Sequence, residues 1–298
     1  MKIGHAMSHG MHVEWTTWEP LNPLTLAFFF MALLYVRGWC ALRSSSATVI
    51  QNWRAASCLV GLSLCWVALA SPIASGDAEL LTIHMVRHLL LMTVAAPLIW
   101  LGEPLRACLH GLPRHVVSAF NRPVFRSVPM RQFGAALARP SVSWCAATAT
   151  LVGWHVPQAF LLAMQSATWH AVEYASFLAS GLLFWWPVVR PWPSRPTSGG
   201  WSTVVYLFLA TLPCDVLSAF LVFSERVVYP AYLSIPRHSG LGVLEDQQLA
   251  GALMWTVVTI VYFVAAGILS AQFLSPQWIA GVRVVQQPGS NPDAVEIV

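Results

Sequence analysis

Residues 80–104 read LLTIHMVRHLLLMTVAAPLIWLGEP, an apolar run long enough to cross a bilayer that nevertheless carries two histidines, an arginine and a proline. His84, His88 and Met92 recur at i, i+4 and i+8, which stacks them on one helix face about 6 Å apart along the axis. Arg87 sits beside that stripe. An ionisable group at membrane depth costs at least about 2.5 kcal/mol on insertion scales unless it is paired, hydrated or able to snorkel. Other parts of the chain must therefore answer this helix, and on a purely structural reading Arg87 pairs with Glu173 or Asp215.

The composition around this stretch sets the class. Of 298 residues, 57% are hydrophobic and 9% are charged, against roughly 25% charged in an ordinary soluble domain. The expectation is an all-α integral membrane protein. Fifteen tryptophans suit a chain with many helix ends at the membrane interface. A net charge of +4, scattered over loops, gives no footing for nucleic acid. Six cysteines without a C-x-x-C pair predict no disulfide framework, and no cleaved signal peptide is expected.

Seven apolar segments predict seven transmembrane helices, near residues 23–41, 55–72, 80–102, 140–158, 168–189, 201–223 and 247–274. The domain plan is a His/Met-rich tail over 1–22, a seven-helix membrane domain over 23–275 and a second tail over 276–298. Between helices three and four lie Arg106, Arg114, Arg122, Arg126, Arg131 and Arg139, spaced among apolar residues. This connection reads as one or two basic interfacial helices, broken at Pro113, Pro123 and Pro129. The connections on its side of the membrane hold twelve basic residues against three on the other side. The positive-inside rule then places the N-terminus outside and the C-terminus in the cytoplasm of a bacterial inner membrane.

With that topology the conspicuous polar residues collect at the outer end. His84 and His88 enter on helix three, His155 ends helix four in GWHVPQ, and His170 with Glu173 opens helix five in TWHAVEYASF. Asp246 and Met254 share a stripe of helix seven, while Cys214 and Asp215 lie deeper beside Pro213. Independent core histidines should scatter between the leaflets; these four do not. His84, His88, His155 and His170 are the candidate metal ligands. Glu173, Asp246, Met92, Met254, Arg87 and Asp215 are candidate additional ligands or supports. Imidazole and thioether with few carboxylates suit copper, with zinc as an alternative and haem held by paired histidines as another. A purely structural polar network is the remaining reading. In the N-terminal tail, HAMSHGMH places His5, Met7, His9, Met11 and His12 within eight residues, a set able to load copper into the membrane site. Pro97 and Pro213 are expected to kink helices three and six and open room beside it. No nucleophile and base pair, phosphate loop or dinucleotide motif is present, so no enzyme is expected.

Together HMVRHLLLMTVAAPLIWLGEP, WHVP followed by WHAVEYASFLASGLLFWWPV, FSERVVYPAY and DQQLAGALMW resemble the seven-helix CtaG group of cytochrome c oxidase assembly proteins, over about residues 20–275. The resemblance rests on His84, His88, Pro97, Gly102, Pro104, Trp154, His155, Pro157, His170, Glu173, Trp185, Tyr229, Tyr232, Asp246, Gln247, Gly251, Met254 and Trp255. It implies a role in maturing a haem-copper oxidase. The implied partner is a haem-copper oxidase subunit, with copper supply to it as an activity that fits the role; membrane lipid and a copper donor protein are the further partners expected from the apolar spans and the His/Met tail.

Overall fold

The computed structural model describes residues 22–44, 51–71, 76–113, 117, 128–191, 200–237 and 240–275. The tail cluster His5, Met7, His9, Met11 and His12 and the tail after residue 275 lie outside these, as do Arg114, Arg122 and Arg126 of the basic connection. The described residues are helical and contain no strand. Six helices are long and apolar enough to cross a membrane: α1 (Pro23–Ser44), α2 (Asn52–Ala70), α3 (Leu81–Leu101), α8 (Ala167–Val189), α9 (Trp201–Phe223) and α10 (Val243–Phe273). Short helices α4 (Pro104–Gly111), α5 (Val128–Leu137), α6 (Pro140–His155) and α7 (Pro157–Gln165) join them.

The seventh expected span, 140–158, differs. Its helix α6 has 16 residues and stops at His155, about 24 Å of helix against a hydrocarbon layer of about 30 Å. Pro157 is the cause. It has no N–H to continue the ladder and forces Val156 out of the helical region to φ −65°, ψ 127°. The chain then restarts as α7. In the basic connection, Pro129 opens α5 at its second residue, where a missing N–H costs nothing.

Helix α3 is the hub, because more than half of its membrane-length window is buried, against 11% for α1. It packs between α2, α8 and α10, while α10 also runs along α9, and α8 lies against α6. Midway, residues Leu90–Ala95 form a π turn directly before Pro97. Pro97 cannot donate to the carbonyl one turn back, and the widened turn relieves its ring of a clash there. The backbone freed by this irregularity is re-used: Trp185 Nε1 donates to the carbonyl of Met92 at 3.1 Å. Gly181 of α8 lets the two backbones touch, since a Cβ there would sit 2.7 Å from Met92 Cα.

Candidate metal centre

Four pieces of chain converge where α3 and α8 begin and α6 ends. The turn before α3 supplies Asp77, α3 supplies His84, Arg87 and His88, α6 supplies His155, and α8 supplies His170, Glu173 and Tyr174. The i, i+4 spacing of His84 and His88 puts their rings edge to face at 4.4 Å. Across the interface, His84 Nε2 lies 3.2 Å from Glu173 Oε1 and His88 Nε2 lies 3.4 Å from the same oxygen. His84 and Glu173 are wholly buried. His170, with 29% of its side chain exposed, forms the open edge, its Nε2 3.0 Å from Asp77 Oδ2. Ser166 starts α8 as its N-cap and so fixes the phase that turns His170, Glu173 and Tyr174 toward α3.

Among the described residues the ion pair of Arg87 is with Asp77 rather than with Glu173 or Asp215. Its guanidinium pairs with Asp77, donates from Nε to the carbonyl of Ala68 at 2.6 Å, and lies 3.9 Å over the ring of Tyr174. The Tyr174 hydroxyl donates to Asp77 Oδ2 at 2.9 Å and stands 3.2 Å from His84 Nδ1. Asp77 and Tyr174 are the residues that the sequence reading missed.

Assigning the Tyr174 proton to Asp77 leaves the phenol oxygen to accept, which assigns the His84 proton to Nδ1. A neutral His84 then turns the lone pair of Nε2 toward the Glu173 carboxylate, which repels it. A positive charge between them, proton or metal ion, removes the conflict. The formal charges agree: two carboxylates, Asp77 and Glu173, face one guanidinium. Donor atoms of His84, His88 and Glu173, and separately of Asp77, His84 and His170, lie within 4.8 Å of one another, close enough for an ion to bridge. Glu173 Oε2, His88 Nδ1 and His155 Nε2 are buried without a hydrogen-bond partner among the described residues. Each such orphan costs about 1–3 kcal/mol unless something fills its coordination. The residues present therefore fit a metal ion.

Five candidates take other places. His155 belongs to neither donor group; its ring is 6.3 Å from that of His88, and its Nδ1 is held by the carbonyl of Leu151 at 2.7 Å. Both oxygens of Asp246 are engaged by backbone N–H groups of Leu81 and Thr82, at 2.9 and 3.0 Å, and Arg237 donates to it at 3.2 Å. It caps α3. Met92 and Met254 line a cavity beneath the histidines together with Cys214, and Asp215, next to Cys214 on α9, keeps a buried oxygen without a partner among the described residues.

The loop between α9 and α10 roofs the cluster. Tyr229 donates to the carbonyl of His155 at 3.1 Å and Tyr232 to that of Asp77 at 3.0 Å. Burial pushes both phenols above their ordinary range, so both remain donors. Gln247 holds this loop through the N–H of Val228 at 2.7 Å. Phe160 of α7 sits between Tyr229 and His84, tilted against the first and edge to face with the second, at ring separations of 4.3 and 5.1 Å.

A family model described as cytochrome c oxidase caa3 assembly factor (Caa3_CtaG) matches residues 33–275. The chain belongs to this family. Its buried histidines, the tyrosines of the roofing loop and the α10 cap all fall within the matched region of the caa3 assembly factor. The family ties the protein to the assembly of a cytochrome c oxidase, in accord with its multi-pass architecture. No curated protein and no solved structure matches the chain.

Proposed function

We propose that this caa3 assembly factor holds a copper ion in the Asp77, His84, His88, His170 and Glu173 cluster and yields it to a maturing oxidase subunit by ligand exchange. The observation that carries the reading is the arrangement of His84 between Tyr174 and Glu173, which calls for one positive charge at a place lined by imidazoles. A monovalent ion balances the single excess carboxylate. Cu(I) meets that condition and accepts two or three imidazole ligands; Zn(II) would leave the cluster with excess positive charge. The partly exposed ring of His170 gives the ion a way in and out. Arg87, held by Asp77, by the carbonyl of Ala68 and against the ring of Tyr174, keeps the frame while ligands exchange.

In this reading α6 and α7 together complete a seventh crossing, the N-terminus lies outside a bacterial inner membrane and the C-terminus in the cytoplasm, so the cluster opens outward. Arg54, Glu103 and Arg106 form an ion-paired group at the far end of α3, with Arg54 Nη1 2.5 Å from Glu103 Oε1, consistent with a cytoplasmic basic face. The His/Met tail would load the site from a copper donor protein. The test is genetic: cells carrying His84→Asn or Glu173→Gln at normal protein levels should make oxidase lacking copper and activity, with the defect relieved by added copper. Full oxidase copper and activity in both strains would reject the proposal.

A further inference from the structure

Beneath the cluster lies a cavity of about 40 Å³ between α3, α6, α8, α9 and α10, larger than the ~10–15 Å³ that one water requires. Its polar wall is unusual for a membrane bundle. It holds the imidazoles of His88 and His155, the sulfurs of Met85, Met92, Cys214 and Met254, the hydroxyls of Thr93, Thr148 and Tyr262 and the indole of Trp144, but no carboxylate. Both histidines are over nine-tenths buried. With His155 Nδ1 bound to Leu151, its Nε2 is the nitrogen left over, and His88 Nδ1 likewise lacks a hydrogen-bond partner among the described residues. The two rings are 6.3 Å apart. A metal–nitrogen bond of about 2.0 Å on each side, with each ring centre about 1.1 Å behind its nitrogen, spans about 6 Å.

Two backbone irregularities face the same space. Met92 is carried by the π turn of α3, and Cys214 follows Pro213 inside α9. Cys214 remains a thiol, close to the Ser218 hydroxyl at 3.7 Å and the Met254 carbonyl at 3.9 Å. The donors on this wall that ligate a transition metal while neutral are imidazole and thioether, and the thioethers are soft. That set selects Cu(I) over zinc, magnesium or Cu(II), and binding releases no proton.

We propose that the cavity is a second metal site, specific for Cu(I), with His88 and His155 as nitrogen ligands and Met92 or Met254 as the sulfur ligand. His88 borders both sites and hands one ion between them, its oxidation state unchanged. The handover rests on the metal reading of the upper cluster; the cavity site stands without it. One excess carboxylate serves both positions, so a single ion is held at a time.

The test is copper K-edge X-ray absorption on the purified full-length chain carrying Met7→Leu and Met11→Leu, loaded anaerobically with one equivalent of Cu(I). The expected spectrum has a sulfur scatterer at about 2.3 Å beside nitrogen. Adding Met92→Leu and Met254→Leu should remove the sulfur shell and leave copper bound by nitrogen and oxygen. No sulfur shell in the parent, or one that survives the added pair of substitutions, overturns the cavity site. If the added pair prevents folding, selenomethionine protein reads the same contact without it: a copper–selenium path supports the site and its absence overturns it. His84→Asn separates the two claims. If that variant keeps its sulfur shell and its affinity, the upper cluster fails as a copper site and the cavity stands. If the parent shows only nitrogen and oxygen and His84→Asn abolishes binding, the cavity fails and the upper cluster stands.

Discussion

Asp246, on the first turn of α10, caps Leu81, on the first turn of α3, across 165 residues of sequence: its Oδ2 accepts the Leu81 N–H at 2.9 Å while Oδ1 takes that of Thr82 at 3.0 Å. A helix start has orphan N–H donors that bulk water would otherwise satisfy. Here a carboxylate from a neighbouring span does so, and it sets the height of His84 and His88 relative to α8. Hydrogen bonds to a charged group contribute about 1.5–3 kcal/mol each. Asp246→Ala should therefore lower the detergent melting temperature strongly, with unfolding free energy reduced by about 3 kcal/mol or more. Metal bound per folded molecule should be preserved. A variant that melts normally but loses metal would return Asp246 to the ligand shell.

The Arg87 and Asp77 pair is buried, and removing one partner strands the other. Arg87→Met should cost about 3–5 kcal/mol, and Asp77→Asn in the same chain should recover a large part of that loss. A double-mutant cycle followed by denaturant unfolding in detergent measures this. Additive losses from the two substitutions would show that they do not face each other in the folded protein.

Gly181 packs against the π turn, and a methyl group there would meet the backbone of Met92 at 2.7 to 2.9 Å. The neighbour is main chain and cannot swing aside. Gly181→Ala should destabilise by about 1–3 kcal/mol and displace Met92. Melting curves, with tryptophan fluorescence reporting the Trp185 bond to Met92, test the expectation. An unchanged melting temperature would mean that α3 and α8 stand further apart.

Glu173→Gln removes one of the two carboxylates that leave the cluster short of positive charge, and its amide N–H can donate to His84 Nε2. The fold should hold, because the His84 conflict disappears without an ion. Cu(I) affinity should fall about 10–100-fold, the range for loss of an anionic metal partner. Competition against a colourimetric Cu(I) chelator reads this directly, and equal affinity would show that Glu173 takes no part in binding.

Much of this arrangement is legible in the chain, and the failures share a cause. His84 and His88 on one face, and His170 with Glu173 on another, follow from helical spacing inside apolar runs. The depth of each follows from where those runs begin. What spacing cannot reveal is which partner stands opposite. Arg87 needs a buried anion, and Glu173, Asp215 and Asp77 all satisfy that need on paper. Asp77 lies in a loop, SPIASGDAEL, where nothing in the pattern says that it turns inward. Asp246 has the burial of a metal partner and is a helix cap, a difference made entirely by the Leu81 and Thr82 amides facing it. The break at His155 was in plain view as WHVP, whose proline outweighs the apolar length that reads as one continuous span. The π turn has a signal too, in Pro97, although a proline alone leaves open whether the helix kinks or widens.

The central claim is that imidazole and carboxylate at the α3 and α8 junction hold one Cu(I). Anaerobic titration of the full-length protein with Cu(I) against a competing chelator, side by side with His84→Asn, tests it most directly. The account predicts one tightly held equivalent in the parent chain and a reduced affinity in the variant, at unchanged melting temperature. Equal affinity in the two proteins, or no binding in the parent able to compete with the chelator, would contradict it.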